Sequence, residues 1–102
     1  MTPHFIPDIT TEVAVPVDGT LSRKLYDNSI RLVAFAFDTG QQLTEHSTPR
    51  AVILQVQTGR MQVTAAGNSY EMTADSWLLL GQNEPHSVIA EEPSVLLLTL
   101  LG

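Results

Sequence analysis

Helical spacing of apolar residues is not sustained over any dozen positions of this chain. Pro49, Pro85 and Pro93, with Gly40, Gly59, Gly67 and Gly81, interrupt every window of a dozen residues in which apolar side chains could keep helical spacing. Each Pro removes a backbone donor and each Gly weakens a helix, so the candidates they interrupt are poor helices. Short apolar or alternating runs lie between the breaks and predict strands at 21–26, 30–38, 51–57, 60–65, 68–72, 76–80, 86–90 and 94–101. The chain reads as all-β. Thr39-Gly40-Gln41-Gln42 has the spacing of a helix capping box, but no periodic apolar run follows it, and no helix is expected there.

Thr58-Gly59, Ala66-Gly67-Asn68 and Asp38-Thr39-Gly40 read as tight turns, because Gly and Asn accept positive φ at little energetic cost; successive strands are therefore expected to be antiparallel. Residues 1–20, rich in turn formers such as Pro7, Pro16 and Gly19, read as an irregular arm with one edge strand at 12–15, part of the same domain as residues 21–102. A length of 102 residues leaves no room for a second domain, and 43% hydrophobic residues supply a core. Eleven acidic against five basic residues give a net charge of −6, the wrong sign for coating a phosphate backbone or an anionic membrane. Neither nucleic acid nor membrane is expected as a partner. The longest apolar run, 32–37, is far short of a membrane span, no basic region precedes an apolar stretch at the start, and a cytoplasmic location is the expectation. Without Cys there is no disulfide, thiolate zinc site or thiol nucleophile, so any metal must rely on His, carboxylate or neutral oxygen.

Two strands are apolar on both faces. In 94–101, Val95, Leu97, Thr99 and Leu101 alternate with Leu96, Leu98 and Leu100; in 30–37, Val33, Phe35 and Phe37 oppose Ile30, Leu32, Ala34 and Ala36. One face belongs to a core and the other needs a cover. The simplest cover is a second copy of the chain, which predicts a homodimer; the alternative is the arm folded across one face. Trp77, Tyr26, Tyr70, Phe35 and Phe37 are assigned to core or dimer contacts.

Two stretches together resemble the paired motifs of the cupin superfamily. The first motif, G-x5-H-x-H-x3,4-E-x6-G, is matched in spacing by Gly40, His46, Thr48, Val52 and Gly59; the second, G-x5-P-x-G-x2-H-x3-N, falls on Asp75, Gly81, Asn83, His86 and Ala90. Asn83 in place of a glycine is a mild change, since Asn tolerates the left-handed backbone. The resemblance covers about residues 30–100 and implies a small β-barrel of the jelly-roll, RmlC-like type. It also implies a site inside the barrel where the motif ligands hold divalent iron, manganese, nickel, copper or zinc. Here His46 and His86 remain, whereas Thr48 stands for the second His and Val52 for the Glu.

Two imidazoles fall short of the three protein ligands of a typical catalytic metal site. Glu45 should point away from His46 by strand alternation, and Gln55 and Gln57 have the opposite parity to Val52, so none restores the set. The expectations are a weakly held divalent metal at His46 and His86, or none, and a pocket including Thr48, Arg50 and Val52. Arg50 pointing into the mouth would pair with a ligand carboxylate or phosphate. His4 lies in the arm with no motif around it. Neither a nucleophile elbow nor a phosphate-binding glycine loop is present. The leading expectation is a barrel that binds a small organic molecule. A metal-dependent oxygenase or isomerase whose substrate completes the coordination shell, and a structural or regulatory dimer, are the alternatives.

Overall fold

A computed structural model describes residues 2–102. Nine strands run in chain order: β1 (Thr20–Asp27), β2 (Arg31–Phe37), β3 (Gln42–His46), β4 (Val52–Thr58), β5 (Arg60–Ala65), β6 (Asn68–Thr73), β7 (Trp77–Leu80), β8 (His86–Ala90) and β9 (Ser94–Leu100). They form a five-stranded sheet, β1-β2-β9-β4-β7, and a four-stranded sheet, β3-β8-β5-β6, in which all strand ladders are antiparallel. The inward residues of both sheets meet in one core that includes Phe37, Leu54, Met61, Val63 and Leu96, all fully buried. Side chains thus fill the barrel interior, as in other small barrels.

Eight of the nine strands lie where the turn residues and apolar runs predict them, with ends shifted by a residue or two. The ninth, β3, has Leu43 as its one large apolar residue and so lacks the alternation that marks a strand. The arm holds a 3-10 turn at Ile9–Thr11, capped by the Asp8 carboxylate, and no edge strand at 12–15. Thr58-Gly59 is also not a hairpin: β4 and β5 belong to different sheets, and Gly59 is the corner between them. Asp38-Thr39-Gly40 likewise carries the chain from β2 in one sheet to β3 in the other, while Ala66-Gly67 closes the β5–β6 hairpin with both residues at positive φ. Tyr70, expected in a contact, is exposed.

The arm supplies part of the cover that the two-faced strands require. Val13 is buried with Ala34, Ala36 and Val95 on the outer face of the five-stranded sheet, and Ile9 and Leu25 pack around them. Arg23 donates to the carbonyl of Glu12 at 3.2 Å, holding the arm to β1. The arm's end is fixed by Asp38, which accepts from the Asp18 amide at 2.7 Å and the Thr39 amide at 2.8 Å. These bonds favour the carboxylate and hold Asp38 below its ordinary pKa of 3.8. The native state therefore gains stability from Asp38 above that ordinary value and loses it as pH falls through the lowered native value. Acid unfolding followed by circular dichroism should show this loss at the low-pH end of the curve, and Asp38→Ala should weaken that part of the pH dependence.

Gly59 cannot be replaced without strain. It has φ of +89°, and a Cβ there would meet the Ser94 hydroxyl and the Pro93 carbonyl oxygen, with Ser94 Cα at 2.8 Å. Ser94 is itself buried and bonded, accepting from the Arg60 amide at 3.1 Å and donating to the Glu92 carbonyl at 2.7 Å. A Gly-to-Ala change in a permissive backbone stabilises by about 0.4–1 kcal/mol, but left-handed strain and a backbone clash outweigh that gain. Gly59→Ala should destabilise the domain by about 3 kcal/mol or more in urea unfolding, whereas Gly67→Ala, whose Cβ would enter open space, should lose about 1–2 kcal/mol.

Candidate functional site

Two loops cross one end of the barrel. Residues 47–51 join β3 to β4, and residues 81–85 join β7 to β8; the Asn83 amide donates to the Thr48 carbonyl at 2.7 Å and ties them together. Asn83 has φ of 61°, the left-handed conformation its place in the second motif requires. His46 ends β3, His86 begins β8, and the two are direct partners across the ladder. Their ring centroids are 4.3 Å apart with an interplanar angle of 58°.

An irregular step in the ladder produces that pairing. Leu43 faces Val88, and the next aligned pair is His46 with His86, so β3 advances three residues while β8 advances two. Strict alternation from Leu43, which packs on the core, would turn His46 to the outer face; the extra residue returns it to the side of His86. Glu45 opens instead on an external cavity of about 320 Å³ shared with Thr64, Glu84 and Pro85. The same irregular step thus turns this carboxylate away from the pair.

Each imidazole is oriented by a main-chain carbonyl two residues before it. His46 Nδ1 lies 2.8 Å from the Thr44 oxygen, and His86 Nδ1 lies 2.9 Å from the Glu84 oxygen. A carbonyl oxygen only accepts, so in the neutral rings Nδ1 carries the proton and Nε2 is a lone-pair acceptor. No side-chain type at 44 or 84 signals this, because the acceptors are backbone atoms. His86 is buried at 3% exposure and His46 is half-buried, which places one ring in the wall and the other at the rim.

The remaining expected pocket residues have other partners. Thr48 Oγ1 donates to the Arg50 carbonyl at 2.7 Å and accepts from the Arg50 amide at 3.2 Å, closing a local turn. The Arg50 guanidinium donates through Nε to the Leu101 carbonyl at 2.7 Å and through Nη2 to the Leu100 carbonyl at 3.3 Å. It clamps the end of β9 to the start of β4. Val52, at 1% exposure, is part of the core and pairs with Leu80 and Leu100. Its position is interior, as the motif frame requires, but it brings no donor atom.

Among the described residues no group of three or more His, Cys, Asp or Glu side chains is placed to hold a metal ion. Two nitrogens with a turn-bound hydroxyl and a valine beside them do not make a resident three-ligand centre. They do have the carbonyl-fixed tautomer that frees Nε2 for a ligand.

Comparison with known proteins gives a family and a fold. A family model described as an AraC-like ligand binding domain matches residues 32–99. No curated protein matches. A conserved protein of unknown function from Streptococcus pyogenes superposes with a TM-score of 0.87 at 24% identity, over 99% of this chain and 90% of that one. A cupin superfamily protein from Desulfitobacterium hafniense gives a TM-score of 0.89 at 15% identity, over 97% and 93%. KdgF from a Halomonas species gives 0.76 at 21% identity, over 80% and 79%.

Nitrogen-15 NMR should find both neutral imidazoles protonated at Nδ1. Substituting Arg50 by Ala, which removes two charge-assisted bonds to β9, should lower stability by about 2–4 kcal/mol while leaving those two tautomers in place.

Proposed function

The chain belongs to the family of AraC-like ligand binding domains, with the cupin fold, and from that premise we propose that the mouth of its barrel binds a small organic molecule against His46 and His86. The observation that carries this reading is the pair of neighbouring rings whose Nδ1 atoms are both occupied by backbone carbonyls. With Nδ1 donating to the main chain, each ring has its Nε2 as acceptor, which fits a ligand that offers hydroxyl or ammonium donors. The filled interior keeps that ligand at the rim, between the loops 47–51 and 81–85, and Arg50 takes no part in holding it. Binding here needs no metal.

The same fixed tautomers support a second reading, in which a divalent ion sits on the two Nε2 atoms and ligand oxygens complete its shell, as a metal-dependent oxygenase or isomerase would use it. Metal content and thermal stability separate the two. Under the first reading, protein purified without chelators carries far less than one equivalent of iron, manganese, nickel, copper or zinc by elemental mass spectrometry. A screen of monosaccharides, amino alcohols and short organic acids then finds a compound that raises the melting midpoint by about 10 °C at a hundredfold excess over Kd. His46→Ala abolishes that shift. Near-stoichiometric metal that disappears in a His46→Ala/His86→Gln variant would favour the second reading instead, and a ligand-induced shift that survives His46→Ala would overturn the first.

A further inference from the structure

Among the described residues, Asp18, Ala66, Asp75 and Asn83 hold positive φ without being glycine. Three of them have a local reason. Ala66 turns the β5–β6 hairpin, and the amides of Asp18 and Asn83 donate to the Asp38 carboxylate and to the Thr48 carbonyl. Asp75, at φ of 76°, stands where the second motif opens on a glycine, the residue that takes this backbone at no steric cost. The turn around it closes without its side chain: the Ser76 amide donates to the Thr73 carbonyl and the Ser76 hydroxyl accepts from the Thr73 amide, both at 3.0 Å. An exposed carboxylate held in a left-handed backbone that glycine fits better points to a use beyond folding.

Asp75 opens on a cavity of about 260 Å³ with Gln55, Gln57 and Ser76. This corner lies at the end of the β4–β7 ladder away from the histidines: Val52 and Leu80 are partners at the mouth, Gln55 and Trp77 at the far end. Trp77 is 58% exposed, so its indole presents an apolar face beside the Gln55 amide. We propose that this corner is an external binding site for one ring of a neutral saccharide, which stacks on Trp77 and turns its hydroxyls to Gln55, Gln57 and Asp75. It shares no residue with the mouth of the barrel and does not rest on the ligand reading there.

The chemistry of the lining selects that class. A Gln amide both donates and accepts, a carboxylate accepts, and a hydroxyl answers either. A pyranose has a C–H face that packs on an indole and a rim of hydroxyls. No Lys, Arg or His lines the cavity and Asp75 repels an anion, which disfavours a phosphate, a carboxylate or a uronate. A quaternary ammonium would suit Trp77 and Asp75, but it leaves both amides without partners, and one indole is no aromatic cage. The volume is below the roughly 300–1,000 Å³ of sites for drug-sized ligands, so the cavity takes one ring and leaves the rest of a chain in water.

Titration of the full chain with maltotriose, cellotriose, xylotriose and mannotriose, followed by fluorescence and saturation-transfer NMR, tests the proposal. Trp77 is the only tryptophan, so at least one of these probes should change the emission saturably. Trigalacturonic acid should bind more weakly than that probe. Trp77→Ala should weaken binding about tenfold or more with an unchanged circular dichroism spectrum, and Gln57→Ala about threefold or more. Asp75→Gly should weaken binding as Gln57→Ala does and leave the melting midpoint equal or higher, because glycine relieves the backbone. His46→Ala should bind the trisaccharide as the wild type does. Absence of binding by all four probes, binding intact in Trp77→Ala, trigalacturonic acid binding as tightly as the neutral probes, Asp75→Gly with a lowered midpoint and intact binding, or binding lost in His46→Ala would each overturn it.

Discussion

Strand β9 is hydrogen-bonded along both edges, to β2 and to β4, and apolar on both faces, so the surrounding structure must supply it with four kinds of neighbour. Its inward residues Leu96 and Leu98 join Phe37, Leu54 and Met61 in the barrel core. Its outward residue Val95 takes the arm through Val13, and Leu97 and Thr99 are left with partial cover. Burying a Leu or Val side chain contributes about 1.5–3 kcal/mol, so a central strand with no polar face is the strongest organiser in a domain of this size. Both ends of β9 are pinned by polar contacts: Ser94 against the Gly59 corner at one end, Arg50 on the carbonyls of Leu100 and Leu101 at the other. The second clamp lies at the end of the barrel where the histidines sit.

The candidate site is a small polar exception at the rim of that apolar barrel. One extra residue in β3 reverses the parity of its last position, and two backbone carbonyls then orient the imidazoles. The surrounding groups are held by their own bonds: Thr48 in a local turn, Arg50 on β9, Asn83 on the Thr48 carbonyl. The Nε2 atoms of the two rings are not used in these bonds. Two imidazoles are fewer than the three ligands of a typical metal centre, and the chain's membership in a family of ligand binding domains agrees with the proposed use of the site.

The residue types and their spacing carried most of the architecture. Gly40, Gly59 and Gly67 mark three of the sharp changes of direction, and each has positive φ. The two-faced character of 94–101 and 30–37 announced that a second layer was needed on both sides. The frame that places His46 and His86 in paired motifs put both at one end of the barrel, where the structure brings their rings together. Strand β3 was illegible because Gln42, Thr44 and Glu45 show no apolar period, and it is a strand through its ladder with β8 rather than through any preference of its own.

By itself the sequence determined that this chain is all-β, where its turns fall, which strands need burial on both faces, and which two histidines outlast the ligand pattern they resemble. These are local properties, set by side-chain polarity, proline and glycine. The tertiary structure alone decided which strands share a sheet, so that Gly59 became a corner between sheets instead of a hairpin turn. It alone turned Arg50 to the carbonyls of β9, gave Val13 the outer face, and fixed both histidine tautomers. Those outcomes depend on atoms brought together from distant parts of the chain, many of them backbone atoms whose partners no residue type records.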